Sequence, residues 1–225
     1  MAKKNFILSS SHEDYLKAIY TLQRQGQEVS NSALAQSMGV APASATNMVK
    51  KLAELNLVTY EPYQGVHLSE AGRRVALEVL RHHRLLELFL HQALDMPWDQ
   101  VHAEAERLEH VISEDLEDAI ARALGHPTVD PHGDPIPSKD LVIQPIVGVP
   151  LNQIPVGQAV QLVRVMVQDA DRLCYLGELG LYPHTTVTVL EKAPFNGPLL
   201  VQVDEHHHAL SFDMAEILVV QELDA

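Results

Sequence analysis

The hydrophobic pattern of this chain changes period near residue 125, and no single bundle or sheet accommodates both halves. Before that point apolar residues recur every three to four positions, as on helices; after residue 150 they fall in short runs separated by Gly and Pro. Between the halves lie Gly125, Pro127, Pro131, Gly133, Pro135, Pro137, Pro145, Gly148 and Pro150, the composition of a linker or irregular arm. The expected fold class is therefore α+β, with helices first and a small β-barrel last.

Within the first part, Tyr15, Leu16, Ile19, Tyr20 and Leu22 follow Ser11, a plausible helix cap. Ser30 caps a short helix from Ser32 to Met38, Gly39 stops it, and a third helix runs from about Ala43 to Asn56. Two β-prone runs, Leu57–Tyr60 and Val66–Leu68, are joined by a turn from Glu61 to Gly65. Ser69 opens a long helix to about Leu94. Leu85, Leu88 and Phe89 add apolar residues on further faces of it, a surplus expected to form a dimer interface. Further helices are expected over Trp98–Val111 and from the Ser113 cap to Leu124, and strands over Ala159–Val167, Thr185–Leu190, Leu199–Val203 and Ile217–Val220. The expected segments are 1–72, 73–125, a linker 126–150, and 151–225.

Charge is divided along the chain. The net charge is -14, yet residues 1–75 hold eight Lys and Arg against six acids, or +2, which leaves -16 for the rest. Such asymmetry fits one segment that meets a polyanion and another that meets cations or solvent. No apolar run approaches the roughly 20 residues of a membrane span, and the opening Met-Ala-Lys-Lys-Asn leads into only three apolar residues, so no secretory signal is expected. The one cysteine, Cys174, excludes an intramolecular disulfide framework and fits a reducing, cytoplasmic setting. Its expected place is a buried, small apolar site.

Two short helices, a tight Gly39 turn and a hairpin make a winged helix-turn-helix pattern. The tip of its second helix offers Ala41, Ala43, Ser44, Thr46 and Asn47 after Pro42. Small residues allow close approach to a groove, Ser and Thr bond phosphate or base, and Asn47 is of the type that reads adenine. Lys50 and Lys51 follow one turn later, placed for phosphates. A helix-turn-helix used only as a packing or protein-interaction module is one alternative, and an ordinary soluble helical domain is a second.

His83 and Glu87 share one face of the long helix; on the next, His102, Glu106 and His110 step by four, with Glu109 beside them. Imidazole and carboxylate without thiolate suit Mn²⁺, Fe²⁺, Co²⁺ or Zn²⁺. The alternative is a solvated acidic helix paired with Arg84 and Arg107. His82 and His91 are expected at the surface, His126 and His132 in a linker without a role, and His206, His207 and His208 in an exposed hairpin turn.

The run Arg81–Glu87, the run Val101–His110, the opening Glu13–Tyr20 and the segment from Gly125 to Pro137 together resemble the diphtheria toxin repressor (DtxR) family of metalloregulators. The resemblance spans essentially the whole chain. It implies a helical dimerisation and metal-binding domain after the winged helix, and a C-terminal SH3-like (FeoA-type) domain. It also implies a homodimer that binds a pseudo-palindromic double-stranded DNA operator when Fe²⁺ or Mn²⁺ is bound, and represses metal-uptake genes. One implied metal site uses His83, Glu87 and His102, with Asp169 as a candidate from the SH3-like domain, where the other expected position is Arg172, which cannot ligate. The implied effector site uses Asp14, Glu106, Glu109 and His110.

Iron-sensing members of that family carry methionine at the place of Asp14 and cysteine at the place of Glu106. Oxygen at both, as in the manganese-responsive branch, favours Mn²⁺ as cofactor, with Fe²⁺ as the alternative. That branch has an acid where this chain has Lys17, and it usually lacks the SH3-like domain. A metal-dependent hydrolase is a different class, but the chain shows no nucleophile or substrate motif, so neither an enzyme nor a small organic substrate is expected. A metal-independent winged-helix regulator is a third.

Overall fold

The computed structural model describes residues 8–24, 26, 28–61 and 65–223. Within them the chain forms two compact units. The first comprises the chain up to His82 together with Glu109–Ile112 and Pro137–Val142; the second holds the remainder.

The first unit opens with α1 (Ser10–Arg24), two residues earlier than a cap at Ser11 predicts. Its apolar stripe buries Leu16 and Ile19 completely, each burial stabilising by about 1.5–3 kcal/mol. Ser30 caps α2 (Asn31–Ser37) by accepting from the Ala33 amide. The chain turns through Gly39 at φ 63°, and Pro42 begins α3 (Pro42–Glu54), its missing N–H costing nothing at a helix start. β1 (Val58–Glu61) and β2 (Gly65–Leu68) pair antiparallel as the wing. Residues 62–64 of the expected turn from Glu61 to Gly65 lie outside the described residues. Ser69 then caps the next helix by accepting from the Gly72 amide. Gly72 is required there: a Cβ at that position would lie 2.0 Å from the Leu57 carbonyl oxygen.

That helix, α4 (Glu70–Leu94), runs unbroken across the expected boundary at 72/73. The surplus apolar residues expected to face a second chain are, for Leu85 and Leu88, already buried within this one, at 0% and 6% exposure. Two-sided burial has its cause inside the protomer. α5 (Val101–Leu108) is shorter than predicted, and Glu109 and His110 lie in the turn after it. α6 (Glu114–Ala123) carries the predicted Ser113 cap.

The second unit is built around an antiparallel six-stranded sheet in the order β3-β8-β4-β5-β6-β7. Its strands are β3 (Val149–Pro150), β4 (Ala159–Val165), β5 (Thr186–Lys192), β6 (Leu199–Val203), β7 (His206–Leu210) and β8 (Leu218–Glu222). Two short helices, α7 (Ala170–Glu178) and α8 (Phe212–Glu216), and the strand β3 lie outside the expected elements, and β7 begins at His206, earlier than the run Ala209–Phe212 expected to follow the hairpin turn. Alternate residues of β4, β5, β6 and β8 form one core with Leu173, Leu176 and Trp98. Among the described residues, no helix is long and apolar enough to cross a membrane.

The segment expected to be a linker is in part an integral piece of this unit. Asp130 and residues 132–136 are buried, Val129 bridges Pro135, and Val165 donates its amide to the His132 carbonyl. Gly133, at φ +85°, lies against β4 so closely that a Cβ would meet the Val163 carbonyl oxygen at 2.0 Å. Proline and glycine here fix a tight docked loop.

Candidate metal centre and nucleic-acid interface

Three clusters of histidine and carboxylate fall wholly within one unit or the other. In the first unit, α1 projects Asp14 towards His110: its Oδ1 lies 2.7 Å from His110 Nε2, and Glu109 Oε1 lies 3.4 Å from the same nitrogen. Opposite, His110 Nδ1 meets Glu13 Oε2 at 2.6 Å. A carboxylate on the far ring nitrogen orients an imidazole as metal proteins orient their ligands. Glu13 was absent from the sequence-derived ligand set. Its neighbour Asp14 was in that set, and adjacency in a helix start was the one available clue. Glu109 is fully buried, and its Oε1 accepts from Lys17 Nζ at 2.6 Å. His82, expected at the surface, is buried, with Nδ1 donating to the Glu109 carbonyl at 3.0 Å.

The second unit gathers His83, Glu87 and His102. His83 Nε2 and His102 Nδ1 lie 2.9 and 3.0 Å from Glu87 Oε1 and 3.0 Å from each other. Donors around one first-row metal ion stand about 3–3.4 Å apart, so this triangle matches a ligand set in chemistry and in spacing. Burial by itself would push the Glu87 carboxyl up. The charge of His83 and the hydrogen bonds from His102 and His83 outweigh it and hold the carboxyl well below the usual range.

Glu106 departs from its expected place. Its carboxylate lies 3.8 Å from His83 Nδ1 and 3.9 Å from His102 Nε2, within the second unit's cluster. The cause is the end of α5 at Leu108. The spacing of four holds for His102 and Glu106, which stay on one helical face, whereas Glu109 and His110 sit past the helix end and follow the turn. Asp169 joins none of the clusters among the described residues. It caps α7, with Oδ1 accepting from the Arg172 amide at 3.0 Å.

His132, expected to have no role, is completely buried, and its Nε2 donates to the Trp98 carbonyl at 2.9 Å. It stands with Glu87 and Asp130 in a third, fully buried cluster. Burial, with the Glu87 charge beside it, pushes the Asp130 carboxyl well above its ordinary value, and burial lowers the His132 pKa. Elsewhere, His91 is half-buried and bonds the Met96 carbonyl, whereas His126 is exposed at the end of α6. His206–His208 lie on strand β7 rather than in its turn, because they pair with Val201–Val203. Cys174 is exposed, not buried, and lines a cavity of about 600 Å³ with His91 and Trp98.

At the start of α3, Ala41, Ala43, Ser44 and Asn47 are exposed, as are Lys50 and Lys51 a turn on. Thr46 is half-buried and donates its hydroxyl to the Pro42 carbonyl at 2.9 Å, so only its oxygen lone pairs remain for other contacts. Ala45, Val49 and Leu52 anchor the opposite face. An exposed helix tip of small and amide side chains on a rigid base is what entry into a major groove requires.

A helix-turn-helix head with a wing, carried in one chain with imidazole–carboxylate clusters, defines the class: a DNA-binding protein bearing metal-ligand side chains. Comparison with known proteins agrees. Residues 7–66 match the model of the iron dependent repressor N-terminal DNA binding domain, 69–138 that of its metal binding and dimerisation domain, and 149–222 the FeoA domain. The iron-dependent repressor IdeR of Mycobacterium tuberculosis is 32% identical over 228 residues, covering 96% of this chain and 99% of that one. The diphtheria toxin repressor of Corynebacterium glutamicum is 26% identical, covering 93% and 98%. Among solved structures, a manganese-dependent transcriptional repressor in complex with manganese superposes with a TM-score of 0.85 at 36% identity, covering 94% of this chain and all of that one. The chain belongs to the DtxR family of metal-dependent transcriptional regulators.

Proposed function

We propose that this protein is a Mn²⁺-responsive transcriptional repressor that binds a pseudo-palindromic operator as a homodimer and controls metal-uptake genes in the cytoplasm. The observation that carries the metal preference is the donor set: every cluster is built of carboxylate and imidazole, and Asp14 stands where a sulfur ligand would favour later or softer metals. The manganese-dependent repressor of known structure supports that reading. A dimer is supported by the matched dimerisation domain; Leu85 and Leu88 do not bear on it.

In this reading Asp14, Glu109 and His110 hold the effector ion, and His83, Glu87, His102 and Glu106 hold a second. A bound divalent ion supplies the positive charge that lets these carboxylates stand together. Glu13 orients the His110 ring. Lys17 neutralises Glu109. Asp14 belongs to the helix whose opposite face, through Leu16 and Ile19, packs the DNA-binding head, so the position of its carboxylate and the pose of α3 are linked. A regulator of this kind works only when the ion favours the DNA-competent arrangement over the other. Ala41, Ala43, Ser44, Thr46 and Asn47 meet base edges, while Lys50 and Lys51 meet phosphates.

The iron-dependent relatives favour a second reading, in which Fe²⁺ is the effector. The test uses DNA selected by the protein from a random pool. Wild-type protein should bind it at least tenfold more tightly with Mn²⁺ than with chelator, and Asp14→Ala should lose that difference. Unchanged metal dependence in Asp14→Ala would sink the effector site. Stronger anaerobic stimulation by Fe²⁺ than by Mn²⁺ would select the iron reading.

A further inference from the structure

Asp130 and His132, which cluster with Glu87, have no part in the function proposed above. Each residue offers a ligand atom, all three within 4.8 Å of one another, and the residues are 0%, 4% and 0% exposed. Glu87 Oε2, Asp130 Oδ2 and His132 Nδ1 are each buried and have no hydrogen-bond partner. Polar groups in a dry interior are ordinarily paired, at a cost of about 1–3 kcal/mol for each one left alone. Three unpaired acceptors in one pocket are a clear exception.

His132 makes the case sharper. Its Nε2 faces the Trp98 carbonyl, which only accepts, so the ring proton sits on Nε2 and Nδ1 carries a lone pair. That lone pair shares the pocket with two carboxylates, and three electron-rich groups repel one another unless a cation or shared proton lies among them. The backbone carbonyl on the far nitrogen is also the usual orienting partner of a metal-bound histidine.

Of the neighbouring arginines only Arg84 reaches Asp130, as an ion pair, and neither arginine touches Glu87 Oε2 or His132 Nδ1. Arg164 closes on Asp134 at 2.6 Å, and Arg84 also approaches Asp134, at 3.4 Å. Arg84 comes no nearer to Asp130 Oδ2 than 3.7 Å, beyond hydrogen-bond reach. Asp130 Oδ1 is occupied by the amides of His132 and Asp134, which fixes the carboxylate in place.

We propose that Glu87, Asp130 and His132 form an additional divalent-metal site, with the Glu87 carboxylate shared between it and the cluster of His83 and His102. Glu87 is placed for this, since its Oε1 serves the two histidines and its Oε2 has no partner. Two carboxylates and one imidazole suit Mn²⁺, Fe²⁺ or Zn²⁺ and disfavour a soft ion. The pocket is reached by the docked loop around Gly133, which carries two of the three ligands.

Two measurements on the full-length protein test the site without reference to DNA. The first is anomalous diffraction at the manganese and zinc edges from wild-type crystals grown with each metal, which should give a peak bounded by Glu87, Asp130 and His132. The second is equilibrium dialysis with Mn²⁺, in which Asp130→Asn and His132→Gln, each first shown to melt cooperatively, should bind one ion fewer per chain than wild type. Peaks at His110 or at His83 and His102, with none beside His132 and an unchanged ion count in the variants, would overturn this inference alone and identify a buried proton shared through Asp130. Peaks nowhere would overturn it together with the metal reading above. A peak beside His132 with none at His110 supports this site and removes the proposed effector centre instead.

Discussion

The Nε2 of His110 lies 2.7 Å from the carboxylate of Asp14, across 96 residues of chain. Glu13 holds the opposite ring nitrogen at 2.6 Å. Removing an orienting carboxylate of this kind typically lowers metal affinity about 10–100-fold. Glu13→Gln should weaken Mn²⁺ binding within that range, read by isothermal titration, with little change in the melting temperature of the metal-free protein. Full affinity in the variant would show that the Glu13 contact is incidental.

Lys17 and Glu109 form a pair in which the carboxylate is fully buried and the ammonium side chain is 14% exposed. Breaking a buried pair from one side costs about 3–5 kcal/mol, and the partial exposure of Lys17 places the expectation towards the low end. Lys17→Met should lower the stability of the metal-free protein to urea, and saturating Mn²⁺ should recover most of the loss. A loss that Mn²⁺ does not reduce would place Glu109 outside the metal centre.

Two buried groups give opposite responses to acid in metal-free protein. Burial lowers the His132 pKa below 6.5, so as pH falls past that value the unfolded chain takes up a proton that the folded chain does not, and stability falls. The Asp130 carboxyl is raised well above 3.8, so the folded chain takes up its proton first, and stability rises towards acid until the unfolded chain follows near 3.8. In chelator, Asp130→Asn should therefore melt at progressively lower temperature from about pH 7 to about 5.5, more steeply than wild type. His132→Gln should show a shallower or reversed slope. Identical slopes in the two variants would contradict both assignments.

The head was readable because its signals are local. The Ser30 cap, Gly39 and the apolar stripe of α1 each act within a turn or two of chain. Glu106 stands with His83 and His102 rather than beside His110 because a spacing of four identifies a shared face only while the helix lasts, and nothing in the composition of Val101–His110 marks its end at Leu108. His132 was passed over for a related reason. Proline and glycine density suggests exposure, but burial of that loop depends on the close approach of Gly133 to Val163, a contact made across 30 residues of sequence. Cys174 and the histidines of β7 failed likewise, since exposure and strand pairing are set by partners elsewhere.

That approach is itself testable. Gly133→Ala forces a Cβ to within 2.0 Å of a backbone oxygen and a side chain into φ +85°. Destabilisation should exceed about 1 kcal/mol, the scale of a glycine replaced where φ is positive. It should appear as a lower urea midpoint, and a variant as stable as wild type would mean that the loop is not docked as described.

Lys50 and Lys51 are exposed on α3 beyond Asn47. If Lys50 meets a phosphate, Lys50→Ala should lower the slope of log K against log salt by about 0.9, with equal effect on all sequences. Asn47→Ala should instead relax base preference at one position of each half-site by about 1–3 kcal/mol. A Lys50→Ala variant with an unaltered slope would take that residue off the DNA.

In the proposed effector centre, the ammonium of Lys17 is a tethered competitor for the same carboxylate that an incoming ion must use. A tethered cation never dilutes, so it acts as a fixed background against which free metal is measured. The concentration at which the protein responds is then a property of one lysine as much as of the ligands themselves. Changing the length or charge of that side chain would retune the detection threshold without touching a ligand or the DNA-reading helix.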